Sequence, residues 1–277
     1  MNDNPHRAVG RYTRFKAFSI LLSCLRSPDK HQRDSVVALY NLLPPLSELE
    51  ADKDGDLKPP TQEVQLGNLI LDLAEQIPYA HPAQMKLAHV VQQFPITYRC
   101  TRLVEMEEYN EYRGMDKFRQ TCGSWFSPSF EAQHQLNAVA FQARLSTLGI
   151  IDNIFNEIWA MRLILEVPSS KIQAANFSTR VAITALWVLD SVDFCTEPLA
   201  EYIGGCFAPK ELYDDAVIGI ERWRFRMGRL KDVCENGSGD PDRVLTQEAR
   251  GLGLGAVKLM EALAEIILED KLVYLRR

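Results

Sequence analysis

The chain has 277 residues, 46 % apolar and 25 % charged, a globular mixture long enough to bury a sizeable core and unlike that of a disordered chain. Lys and Arg number 31 against 37 Asp and Glu, and the resulting net charge of −6 disfavours nucleic acid as a general partner. The six cysteines are irregularly spaced, with no CxxC pair and no secretory leader, so they read as reduced thiols in the cytosol or nucleus. No apolar run approaches the roughly 20 residues of a membrane span, and no membrane is expected as a partner.

An opening helix over 13–26 puts Phe15, Phe18, Leu22 and Leu25 on one face, and a second over 29–43 is stopped by Pro44-Pro45. The stretch 44–60 carries four prolines and the run Asp52-Lys-Asp-Gly-Asp56. It reads as a solvated loop and as the weakest seam in a single domain spanning 1–277. Thr61 opens a helix to about Gln76, which Pro78 closes; Pro82 lies in the first turn of the next, running to Gln93 before Pro95. Residues 96–128 mix charges with aromatics and predict short helices and loops. Helices near 129–147, 151–166, 172–195, 209–233 and 244–272 supply most of the core, separated by Gly149, Pro168, Pro198 and the 236–241 turn. In the fourth of these, Glu211, Asp214 and Asp215 occupy the first turns, and Arg226, Arg229 and Lys231 the last, as the helix dipole favours. Strand-length alternation is missing. The fold class is therefore all-α, a multi-helix domain of roughly ten helices, with irregular stacked helical hairpins as a secondary architecture.

The templates for chemistry fail one by one. Asp52, Asp54, Asp56 and Glu63 have the spacing of a calcium loop, yet Leu57 stands where a glycine must turn and Pro59-Pro60 interrupt it. A di-metal bundle needs two Glu-x-x-His pairs, and the sequence has one, Glu131/His134. Asp214-Asp215 has Ile218 where a magnesium-binding cluster needs an acid. Gly251, Gly253 and Gly255 lack the strand of a phosphate loop; Gly251 and Gly255 share a helix face that would let another helix approach. Arg222, Arg226 and Arg229 line one face beside Trp223, Met227 and Leu230, which reads as an amphipathic helix with a solvated basic edge rather than a polyanion patch. There is no GxSxG elbow. No metal and no cofactor are expected.

Charge on apolar faces is more informative. Arg144 has Ala140, Phe141 and Leu148 as helical neighbours, and Arg162 has Ile158, Trp159 and Leu165. Glu166 lies four residues after Arg162, and Asp190 one turn after Leu186 and Trp187. These groups predict an internal ion-pair network, because unpaired buried charge costs several kcal/mol. The alternative is an arginine facing a cavity lined by Phe155, Trp159, Trp187 and Phe194 and holding a carboxylate.

The runs Asn137-Ala-Val-Ala-Phe141-Gln-Ala-Arg-Leu145 and Ile158-Trp-Ala-Met-Arg162-Leu-Ile-Leu-Glu166 resemble a family of fungal all-helical proteins known only as a domain of unknown function. Gln76-Ile-Pro78 leading to Pro82-Ala-Gln84, the stretch 182–190 with Trp187, and Glu221-Arg-Trp-Arg-Phe225 are similar to it too, over roughly residues 60–230. The resemblance implies a filamentous-fungal source and a cytoplasmic or nuclear helical domain, and brings no catalytic residues. Elimination leaves a non-catalytic protein-interaction or regulatory module. The alternative is a small-molecule binding protein, or a metal-independent isomerase or cyclase of fungal specialised metabolism. Its ligand groups would be Arg144, Arg162, Glu166, Asp190, Trp159 and Trp187.

Overall fold

A computed structural model describes residues 12–27, 32–43, 61–103, 131–151, 154–190, 212, 220–237 and 239–274. The chain is all-α: the described residues form nine α-helices and one 3-10 turn, and no strand. Its contacts divide into two compact units, 1–151 and 152–277. The division falls between Ile151 and Asp152 rather than in the 44–60 stretch, where composition placed the weakest seam and which lies outside the described residues.

The first unit holds α1 (Arg14–Arg26), α2 (Gln32–Tyr40), α3 (Thr61–Gln76), α4 (Pro82–Leu103) and α5 (Ala132–Thr147). Helix α3 packs on α5 and α1, and α4 on α2 and α5, around Leu21, Leu39, Leu66, Leu87, Phe141 and Leu145. Thr13 caps α1 by accepting from the Lys16 N–H at 3.2 Å. His81 does the same for α4: its Nδ1 accepts from the Ala83 N–H at 3.1 Å, ahead of Pro82 in the first turn. Pro95 does not end α4, which runs through it to Leu103 at the loss of one intrahelical donor. Gly149, at φ +66°, ends α5 in a Schellman turn, with the Ile150 N–H on the Leu145 carbonyl and the Gly149 N–H on that of Ser146.

Helix α1 overturns its predicted orientation. The face turned to the core is Ala17, Leu21 and Cys24, all 2 % exposed or less, whereas Phe15 is 78 % and Phe18 36 % exposed. The helix has two apolar faces, and the one bearing small residues at Ala17 and Cys24 makes the close approach. Of the larger stripe, Phe15 and Phe18 are left outside, while Leu22 is half-buried and Leu25 packs in part against the core.

The second unit holds α6 (Ile154–Leu165), the 3-10 turn Ser169–Lys171, α7 (Ala174–Asp190), α8 (Ile220–Asn236) and α9 (Gln247–Tyr274). Helix α9 packs on α7 and α8, and α6 on the same two helices. The predicted 209–233 helix is described from Ile220, with Glu221 as its first-turn acid; Glu211, Asp214 and Asp215 lie outside the described residues. Thr184 donates to the Ala160 carbonyl at 3.2 Å, and the Trp223 indole to the Met260 carbonyl at 3.2 Å, tying α7 to α6 and α8 to α9. Thr246 caps α9 by accepting from the Ala249 N–H at 3.1 Å, and its hydroxyl meets that of Ser178 at 3.0 Å.

The close approach predicted for Gly251 and Gly255 belongs to Gly253 instead. A Cβ there would lie 2.3 Å from Cys234 Sγ, while Gly251 has nothing within 4 Å and Gly255 has ordinary contact with Leu189. Cys234 is fully buried, so its sulfur has little room to move, and burial pushes its thiol up to about 11. Gly253→Ala is expected to forfeit the roughly 1 kcal/mol that alanine gives a helix and to cost about 1–3 kcal/mol by overpacking. In a Cys234→Ala background the same substitution is expected to stabilise. Urea unfolding of the four proteins in this cycle measures the coupling.

Candidate functional site

Three arginines and one glutamate converge inside the second unit. Glu166 follows the last residue of α6, Arg162 precedes it by one turn, and Arg222 and Arg226 stand one turn apart on α8. Glu166 and Arg222 are 0 % exposed, Arg226 1 % and Arg162 4 %. Arg222 grips the carboxylate with both arms of a fork, Nε to Oε1 at 2.8 Å and Nη2 to Oε2 at 2.6 Å. Arg226 donates from Nε to Oε1 at 2.6 Å, and Arg162 Nε stands 3.6 Å from Oε2. Burial pushes the Glu166 carboxyl up, but the Arg222 hydrogen bonds and the Arg226 charge outweigh it and hold the group below its usual range. Burial pulls Arg226 down to about 10, against the opposing charge of Glu166.

The solvated basic edge expected on α8 is therefore corrected. Arg222, Arg226, Leu230 and Val233 follow a spacing of four, four and three, so the two arginines continue the helix's buried apolar face. That continuity was the readable signal for them. Arg229 lies to one side, 3.4 Å from Asp232.

The remaining candidates scatter. Trp187 is 2 % exposed on α7, Asp190 is half-buried at the end of that helix, and Trp159 is 54 % exposed. Arg144 is half-buried on α5, in the first unit. The side chains of Phe155 and Phe194 lie outside the described residues. Among the described residues no group of three or more His, Cys, Asp or Glu is placed to hold a metal ion. Within the described helices none is long and apolar enough to cross a membrane.

A second polar cluster, which composition gave no reason to single out, sits in the first unit. The Asn137 side chain accepts from the Tyr79 N–H at 2.8 Å and donates to the Glu75 carbonyl at 2.6 Å. Gln84 Nε2 donates to the carbonyls of Ala74 at 2.7 Å and Ile77 at 2.8 Å. Two side chains from α4 and α5 thus donate to carbonyls at and just past the end of α3, that of Ala74 also taking the Ile77 N–H at 3.3 Å. Beside them the Glu75 carboxyl is buried, and desolvation raises it above the usual range while His134 opposes the shift.

Among the described residues are two hollows open to solvent. One, of about 400 Å³, lies between the 3-10 turn and α8, with Ser169, Ser170, Leu212, Phe225, Arg229 and Asp232 among its walls. The other, of about 340 Å³, is a groove between α1 and α3 walled by Phe15, Phe18, Leu69 and Leu73, with Arg14, Asp72 and Gln76 at its margin. Arg14 and Asp72 form an ion pair there. Neither hollow is lined by Arg144, Arg162, Glu166, Asp190, Trp159 or Trp187.

A family model described as "Protein of unknown function (DUF3632)" matches residues 68–225, more than half of the chain. The chain belongs to this family. No curated protein and no solved structure matches it. The DUF3632 region contains both polar clusters but for Arg226, which follows its last residue, and it contains the α3 wall of the groove. Helix α1 precedes it. The stretches that carried the family resemblance thus include Gln84, Asn137, Arg162, Glu166 and Arg222; hydrogen bonds of Gln84, Asn137, Glu166 and Arg222 run between helices, whereas Arg162 stands 3.6 Å from Glu166 one turn along.

Proposed function

We propose that this DUF3632 protein is a non-catalytic protein-interaction module of the fungal cytoplasm or nucleus, and that the α1–α3 face is its contact surface. One observation carries the reading: Phe15 is 78 % exposed on a helix whose other apolar face is already in the core. Single exposed apolar residues are ordinary, but Phe15 and Phe18 adjoin an apolar groove floored by Leu69 and Leu73. The polar clusters support the same reading, because their charges and amides are engaged with each other and with helix ends.

A photo-crosslinking amino acid at position 15, introduced into the protein in its native host, tests this. A discrete protein adduct that disappears when Phe18 is also changed to serine is the expected result. Crosslinking that is absent, or spread over abundant proteins regardless of Phe18, would remove the reading.

The alternative, a small-molecule binding protein or metal-independent isomerase or cyclase, draws support from the hollow beside Phe225 and Arg229, whose about 400 Å³ falls in the range of ligand sites. Native mass spectrometry separates it: a reproducible non-covalent increment of a few hundred daltons would favour a ligand.

A further inference from the structure

We propose that Glu75 is a proton-operated latch where the end of α3 meets α5: neutral, it holds the junction closed, and ionised, it loosens it. Glu75 stands in the last turn of α3, at the negative end of the helix dipole, and is 7 % exposed. Its main-chain carbonyl takes the Asn137 amide of α5 at 2.6 Å, but its carboxyl Oε1 is buried and accepts no hydrogen bond. The donors of the cluster are committed elsewhere. Gln84 Nε2 serves the carbonyls of Ala74, Ile77 and, at 3.3 Å, Asn137, while the Tyr79 N–H and Gln133 Nε2 both go to Asn137 Oδ1. Gln84 Oε1 is a second buried acceptor without a donor. An ionised carboxylate is costly in such surroundings, whereas a neutral carboxyl has no charge to desolvate and brings a donor of its own.

Two neighbouring charges act on the group: His134 on α5 favours its ionisation, and Asp72, one turn back on α3, opposes it. On α1, Arg14 is paired with Asp72; on α4, Lys86 donates to the Ser27 carbonyl and His89 meets Gln92. Burial outweighs His134 and lifts the carboxyl above its ordinary value of about 4.5. The stabilisation that the neutral group gives is therefore complete below about pH 4.5 and is lost as pH rises through the raised folded value. Leu73 and Gln76, close to Glu75 in the same helix end, line the α1–α3 groove, so the latch also sets part of one groove wall. That consequence rests on the interaction reading above; the latch itself does not.

The test is a carboxyl-carbon NMR titration of the full chain, with the Glu75 resonance assigned from Glu75→Gln, or from Glu75→Asp should the amide variant not fold. Glu75 is expected to titrate at higher pH than the exposed glutamates, and His134→Gln, which removes the opposing cation, to move its midpoint higher still. Amide exchange at Tyr79, whose N–H rests on Asn137, reads the junction. Wild type and Glu75→Gln are compared at the same pH, so the intrinsic exchange rate cancels. Wild type is expected to lose Tyr79 protection relative to the variant as pH rises from about 4.5 to about 8. The proposal is overturned if Glu75 titrates within or below the range of the exposed glutamates, or if His134→Gln leaves the midpoint where it was. A ratio of Tyr79 protection that does not change with pH would overturn it as well. None of these readouts involves binding, so they test the latch apart from the interaction reading.

Discussion

Glu166→Gln is expected to destabilise the protein by about 3–5 kcal/mol in urea unfolding, the cost of leaving buried charges without their counter-ion. Arg222 and Arg226 would each lose a hydrogen bond of 2.8 Å or less to a charged acceptor, and Arg162 its opposite charge at 3.6 Å. Arg162→Met is expected to cost less, since its contact with the carboxylate is the longest of the three. A ligand-anchoring arginine would behave in the opposite way, with stability kept or raised on its removal. The effect depends on pH with a fixed sign. The folded Glu166 carboxyl titrates below its ordinary value of about 4.5, so its stabilisation is complete above that pH. It is lost as pH falls through the lowered folded value. The gap in stability between wild type and Glu166→Gln is therefore expected to narrow on acidification.

Asn137→Ala is expected to cost about 2–3 kcal/mol through the first unit, because one truncation removes the partner of the buried Glu75 carbonyl and that of the part-buried Tyr79 N–H. The isosteric Asn137→Asp is a sharper probe. It keeps the acceptor for Tyr79 but replaces the donor, and so sets two acceptors against each other across 2.6 Å at the Glu75 carbonyl. Aspartate is expected to be at least as damaging as alanine near neutral pH and to recover on acidification, when its carboxyl can donate. Thermal melts of the two variants across that range check this. Equal and pH-independent losses would show that the site is a packing position only.

The helical class was legible because apolar spacing and the prolines and glycines between helices act locally. Gly149 marked the end of α5, and Pro82 the start of α4, through backbone geometry that neighbours cannot override. Partner choice was not legible in the same way. Arg162 and Glu166 could be paired from sequence because they are one turn apart, whereas Arg222 reaches Glu166 over 56 intervening steps of chain. Asn137 and Gln84 gave still less sign, since their purpose is set by the end of a different helix. Helix α1 shows the limit most clearly. Two apolar stripes were present, periodicity selected the larger, and packing selected the one with the smaller side chains.

The account turns on that outer stripe being surface. Urea unfolding of Phe15→Ser/Phe18→Ser beside the wild-type protein tests it most directly. A loss below about 1 kcal/mol is expected, because both rings lie on the exposed side of α1 and surface substitutions seldom cost more. A loss of about 3 kcal/mol or more, the cost of truncating a buried phenylalanine, would place the two rings in the core and contradict the account.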